Sequence, residues 1–313
     1  LEEKVSRMAE REWLEVPVFV HGITTERQPA SHARNYTAFL RLVNAALAAR
    51  GKPTLDAPPI MVEWGWEESL GKDKSLAEAE RLVAREALPP TEKHRRIHLN
   101  PLRRYADDIR EAFLYGFADM FYYVSKDGGR AVRDNVFRYL AGEIRTIEKD
   151  RHGRSPKVSL TFFAHSAGAV IVHDFLYRLF GWGAQPLFGM TLNKTRRMAR
   201  RKKLRVRRLY TLGAPVTPLI FRSEPLIDKI LRKEKLNPAV IGLRAGEDLA
   251  NPRWVNFWDD DDLVAYPVGF LYEKVDGEPV VVDRSVDLGE KFPAVHSAYW
   301  RSQDVADAVA EIF

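Results

Sequence analysis

The chain reads as an α/β protein whose sheet is mainly parallel and covered by helices on both faces. Three observations predict it. Apolar runs of strand length alternate along the 313 residues with longer segments whose apolar positions recur every three or four residues. An early run, Val16-Pro17-Val18-Phe19-Val20, stops at His21-Gly22 with no second strand close behind it. A later run, Val158 to Ala164, passes into an apolar helical pattern across only a few residues. Strands separated by helices need crossover connections, and those make neighbouring strands parallel.

Taken in order, Val16–Val20 is a short buried strand, with Pro17 tolerable only near its start. Tyr36, Phe39, Leu40, Val43 and Leu47 then repeat at helical spacing up to a stop near Gly51. Residues 59–64 (Pro-Ile-Met-Val-Glu-Trp) form the next strand candidate, and a long charged segment follows with a break at Leu88-Pro89-Pro90. Val132, Val136, Leu140, Ile144 and Ile147 predict an amphipathic helix that closes before the loop 150–156. Val206 to Leu212 and Trp254 to Trp258 are strands, residues 275–282 predict a hairpin, and Val305 to Phe313 the last helix. No internal repeat or low-complexity linker divides the chain. One domain over 1–313 is expected, with helical cap or lid insertions at about 65–130 and 181–204.

With 45% hydrophobic residues the chain can bury a substantial core, and no apolar run reaches membrane-spanning length. The absence of cysteine excludes disulfides, thiolate metal ligands and a cysteine nucleophile. The cytoplasm is the favoured compartment, and the start at Leu1 leaves a removed leader open. The net charge of +6 is local in origin. Ten basic residues and no acid lie between Lys194 and Arg208, so the rest of the chain is net acidic. Such a run reads first as a solvated, partly disordered surface loop, because like charges repel. Peripheral attraction to an anionic membrane ranks second. Nucleic acid is not expected as a partner, since aromatics are not interleaved with the charges. Oligomeric state is not legible.

The chemistry gathers around Ala164-His165-Ser166-Ala167-Gly168. A strand that ends in small-x-Ser-x-Gly and turns at once into a helix is a nucleophile elbow, which lifts the serine hydroxyl clear of the sheet. Cleavage of an acyl group through a tetrahedral intermediate also needs two preorganised N–H donors for the oxyanion. Ala167 N–H, just after the serine, supplies one, and Ile23 N–H, in the turn after His21-Gly22, is the natural second. An acid and a base are also required. The strand 254–258 opens into Asp259-Asp260-Asp261-Asp262, and His296 stands just before the last helix. Serine, aspartate, histidine is the chain order of one recurring triad architecture. Mutual repulsion among four neighbouring aspartates requires at least two of them to face solvent.

These motifs, together with Thr211-Leu212-Gly213-Ala214-Pro215 and Asp262-Leu263-Val264, resemble the α/β-hydrolase superfamily on its esterase/lipase side. The resemblance runs from about residue 15 to the C-terminus. It implies an α/β-hydrolase fold and hydrolysis of a small-molecule or lipid carboxylic ester, with no cofactor and no metal. Carried over, it implies Ser166 as nucleophile, His296 as general base and then acid, and Asp262 as the carboxylate that orients the histidine. Asp259 is the fallback acid. The alternative is a non-catalytic protein of the same fold that binds anionic membrane or nucleic acid through residues 194–208.

Other residues have plainer readings. His21 and His165 are expected to pack or hydrogen-bond beside the site rather than act as bases, and His173 to be a satisfied core histidine. His94 and His98, at i,i+4 with Glu92 nearby, lack the further ligand that a metal site needs. The aromatic stretch Phe113 to Tyr123 predicts a buried helix with a partial role in lining a pocket.

Overall fold

The computed structural model describes residues 13–22, 29–64, 123, 126–149, 157–181, 190–219, 224–244 and 249–313. Six strands form one all-parallel sheet in the order β2-β1-β3-β4-β5-β6. They are β1 (Trp13–Val20), β2 (Ile60–Val62), β3 (Lys157–His165), β4 (Leu204–Leu212), β5 (Trp254–Trp258) and β6 (Val281–Ser285). Among the described residues there are eight α-helices: α1 (Pro29–Ala49), α2 (Lys126–Lys149), α3 (Ala167–Phe180), α4 (Met190–Arg200), α5 (Val216–Leu219), α6 (Glu224–Leu231), α7 (Val295–Ala298) and α8 (Gln303–Ile312). None of these is long and apolar enough to cross a membrane.

Strand alternation sorts the side chains into two cores. Val16, Val18 and Val20 of β1, with Leu160 and Phe162 of β3, face the apolar stripes of α2, α3 and α4. Phe19, Phe163, Tyr210 and Phe257 face α1 and α8 on the other side. Phe19, Phe163 and Tyr210 stack across three neighbouring strands at centroid distances of 5.0 and 5.3 Å. This ladder helps to fix the register of the central strands.

The structure departs from expectation in two elements. The predicted hairpin shrinks to a single antiparallel bridge, Val275 to Glu278, and the chain then enters β6, parallel to β5 from Trp254–Val281 to Trp258–Ser285. The Asp276-Gly277 turn is real, but the burial of Val281 against the sheet decides the pairing.

The basic run is also not a loop. Its first half is helix α4, and Leu192, Thr195, Met198 and Ala199 are buried at helical spacing. Its second half is strand β4, where Arg205 and Arg208 are buried. Arg205 lies over the Trp13 ring at 4.1 Å and donates from Nε to Ser159 Oγ. Arg208 donates to the Ile312 carbonyl. Long basic side chains can cover apolar surface with their stems while the charged heads find partners. Lys194, Arg197, Arg200, Arg201 and Lys202 remain exposed. Most of the expected insertion at 65–130, with His94, His98 and the aromatic stretch up to Tyr122, lies outside the described residues. Tyr123 is buried and donates to Asp174 at 2.6 Å.

Candidate active site

The strand order reverses direction between β1 and β3. From β1 the chain goes to β2 on one side, whereas β3 lies on the other, so the connections leave in opposite directions above the carboxyl ends of β1 and β3. In open parallel sheets ligands bind at such a switch point. Val20 pairs with Ala164 and His165 with Leu212, which sets His21-Gly22, Ser166 and Gly213 along one edge.

Ser166 itself sits at φ 51°, ψ −129°, a left-handed conformation that costs on the order of 1–3 kcal/mol for a non-glycine residue. Its N–H donates to the Leu212 carbonyl and its carbonyl accepts from Ala169 N–H, which hold the turn from both ends. Close approach explains the flanking glycines. A Cβ on Gly168 would lie 2.4 Å from the His21 carbonyl oxygen, and one on Gly22 would lie 2.3 Å from Ser166 Cβ. The elbow closes only because both positions lack a side chain.

His296 reaches this serine from α7. Its Nε2 is 2.8 Å from Ser166 Oγ, and its Nδ1 is 2.9 and 3.0 Å from the two Asp262 carboxylate oxygens. Asp262 is fully buried as a side chain and Ser166 is buried too, whereas His296 is one-fifth exposed, so the line meets solvent at the imidazole. Burial pushes the Asp262 carboxyl up. Hydrogen bonds from His296, Val264 N–H and the Tyr299 hydroxyl, with the charge of His296, outweigh that and hold it below its ordinary range.

Asp259, the fallback acid, is turned elsewhere. Its carboxylate accepts from Asp261 N–H and Leu288 N–H, each at 2.8 Å. Asp260 is exposed and Asp261 pairs with Lys291 at 2.6 Å. Two aspartates face inward and two outward, as repulsion requires.

The remaining expected positions fall as follows. Ala167 is the first residue of α3, so its N–H is one of the donors for which a helix has no internal acceptor. Ile23 lies outside the described residues. His21 is buried, accepts from Trp64 N–H at 3.1 Å, bonds Gly22 O through Nδ1, and stacks on His32 at 3.9 Å. His165 is buried and donates from Nε2 to the His296 carbonyl at 2.5 Å. Burial, then the neighbouring His296, pull the His165 pKa down to about 3, so the ring stays neutral. His173 bonds Tyr272 at 2.8 Å. All three histidines have structural partners.

Tyr299 was missed from sequence. Its hydroxyl donates to Asp262 Oδ2 and accepts from Asp259 N–H, both at 3.0 Å, tying the two inward aspartates together. Its spacing of i,i+3 from His296 was the available signal, since both fall on one helical face.

Among the described residues no group of three His, Cys, Asp or Glu side chains is placed to hold a metal ion. The geometry defines a serine–imidazole–carboxylate line at the carboxyl edge of an all-parallel α/β sheet. No family model matches the chain, and no curated protein and no solved structure matches it either.

Proposed function

We propose that the protein is a serine hydrolase of the α/β-hydrolase type that cleaves carboxylic esters. The observation that carries the reading is the continuous hydrogen-bonded line from Ser166 Oγ through His296 to the buried Asp262. As Oγ attacks the acyl carbon, its proton passes to His296 Nε2, and Asp262 stabilises the imidazolium through Nδ1–H. The tetrahedral oxyanion takes Ala167 N–H as one donor and needs a second, the role that the sequence alone assigns to Ile23 N–H; losing one such donor costs about 3–4 kcal/mol of barrier in comparable enzymes. Collapse expels the alkoxide, which takes the proton back from Nε2 and leaves an acyl ester on Ser166. Water, deprotonated by the same nitrogen, then releases the acid.

The strained turn at Ser166 supports the reading, because such conformations persist where the surroundings over-determine them and cluster at reacting groups. The test is hydrolysis of a short nitrophenyl ester by the parent and by Ser166→Ala. The variant is expected to lose at least about a thousandfold in kcat/KM. Activity kept in full would overturn the assignment.

A further inference from the structure

Several exposed cations of this protein are paired. Lys229 lies 3.6 Å from Glu234, Arg284 2.9 Å from Glu311 and Arg50 2.9 Å from Asp307. Helix α4 and the turn after it differ. Lys194, Arg197, Arg200, Arg201 and Lys202 are exposed, and none of them meets a carboxylate among the described residues. No acid lies in the sequence between Lys194 and Arg208. Apart from Asn193, every exposed side chain from 191 to 202 is Lys or Arg.

The fold fixes this row. With Leu192, Thr195, Met198 and Ala199 buried, Lys194, Arg197 and Arg200 fall on the opposite, outward arc of α4. Lys202 N–H donates to the Ala199 carbonyl at 3.1 Å and Lys203 N–H to the Met198 carbonyl at 2.9 Å, which closes the helix. Lys202 takes the left-handed position of that cap, at φ 54°, so Arg201 and Lys202 continue the row on a defined turn. Arg196 ties the helix to the Gly181 carbonyl at 3.1 Å. The row ends at the amino edge of the sheet, where the Lys203 carbonyl accepts from Val158 N–H at 2.9 Å at the start of β3. Ser166 follows the other end of that strand, about 25 Å away by strand rise.

We propose that this ridge docks the protein on an anionic lipid surface by charge alone. A charged plane attracts every cation of a convex row that comes within a Debye length of it, and needs no directional partner. Nucleic acid fits less well, because the exposed side chains of α4 and its turn include no aromatic ring on which a base could stack. The apolar stripe of α4 is already buried in the core shared with α2 and α3, so the helix docks without inserting. The distance to Ser166 makes the contact a tether rather than a route for substrate. The proposal does not depend on the hydrolase reading.

The test is co-sedimentation of the protein with phosphatidylcholine vesicles, with and without about 30% phosphatidylserine, at about 0.1 M and about 0.5 M salt. Binding is expected only with phosphatidylserine, and it should fall at least about tenfold at the higher salt. The triple variant Lys194→Gln, Arg197→Gln, Arg201→Gln changes exposed positions only and should bind about a hundredfold more weakly, at about fivefold per charge. The triple variant Lys229→Gln, Arg232→Gln, Lys233→Gln removes the same charge from α6 and the turn after it, and should stay within about threefold of the parent. Three results would overturn the proposal: no binding by the folded parent at the lower salt, equal loss in the two triple variants, or tighter binding to duplex DNA than to the anionic vesicles.

Discussion

Asp259 and Asp262 leave the same strand end three residues apart, yet their surroundings give them different work. Asp262 faces the imidazole, whereas Asp259 uses its carboxylate on backbone N–H groups of its own turn and of Leu288. Asp262→Asn is therefore expected to lower kcat on an ester by roughly 10⁴, because the imidazole loses the partner that fixes its tautomer. Asp259→Asn should leave kcat within about tenfold and instead lower the melting temperature, since it weakens two backbone contacts. Steady-state kinetics beside thermal melts separates the two; equal losses of kcat would contradict the division. Tyr299→Phe orphans the buried Asp259 N–H and removes one of the two donors to Asp262 Oδ2, leaving His296. It should cost both stability and about tenfold in kcat, read from the same assays. The sequence alone could place the acid among four aspartates but not choose the inward one. That choice depends on how the turn closes, and the family resemblance rather than the spacing favoured Asp262.

At the scale of elements, the loop that carries Asp262 is clamped from beneath by β5 and β6. Asn256 donates to the Tyr266 carbonyl at 3.0 Å and to Asp283 at 2.9 Å, and Asp283 accepts from Val268 N–H and Gly269 N–H at 2.8 Å. Asp283→Ala releases both loop amides and should lower kcat by about tenfold or more with KM little changed. Asp283→Asn, which keeps an acceptor, should recover part of the loss. A KM effect without a kcat effect would argue against a positioning role. None of this clamp was legible, because it needs the register of β6 against β5, and the Asp276-Gly277 turn suggested a different pairing. The α4 stripe was hidden for another reason: seven basic residues between Lys194 and Lys203 mask the four buried positions beneath them. By contrast, β1, β3 and the elbow were legible, because apolar runs bounded by His-Gly and Ser-Ala-Gly leave few other conformations.

For the whole molecule, the buried histidines set the acid side of the stability curve. Burial holds both His21 and His165 far below the ordinary value of 6.5, His165 at about 3. Between those values the unfolded chain binds protons that the folded chain does not. Their neutral burial is thus fully tolerated above about pH 6.5, and stability falls as pH drops below it. Asp262 acts later: its lowered value makes its contribution present above 3.8 and lost only on further acidification. Urea unfolding at pH 7.5, 6.0 and 5.0 should show a declining midpoint, and a flat or rising one would contradict the buried neutral rings.

The central claim is that the Ser166 hydroxyl is activated by His296, and it is tested most directly by an alkyl fluorophosphonate. The intact protein should take up one phosphonyl group, mapped by peptide mass spectrometry to Ser166, and His296→Ala should slow that reaction by at least about a hundredfold. No adduct at Ser166 in the folded protein, or an adduct formed at the same rate without the imidazole, would contradict it.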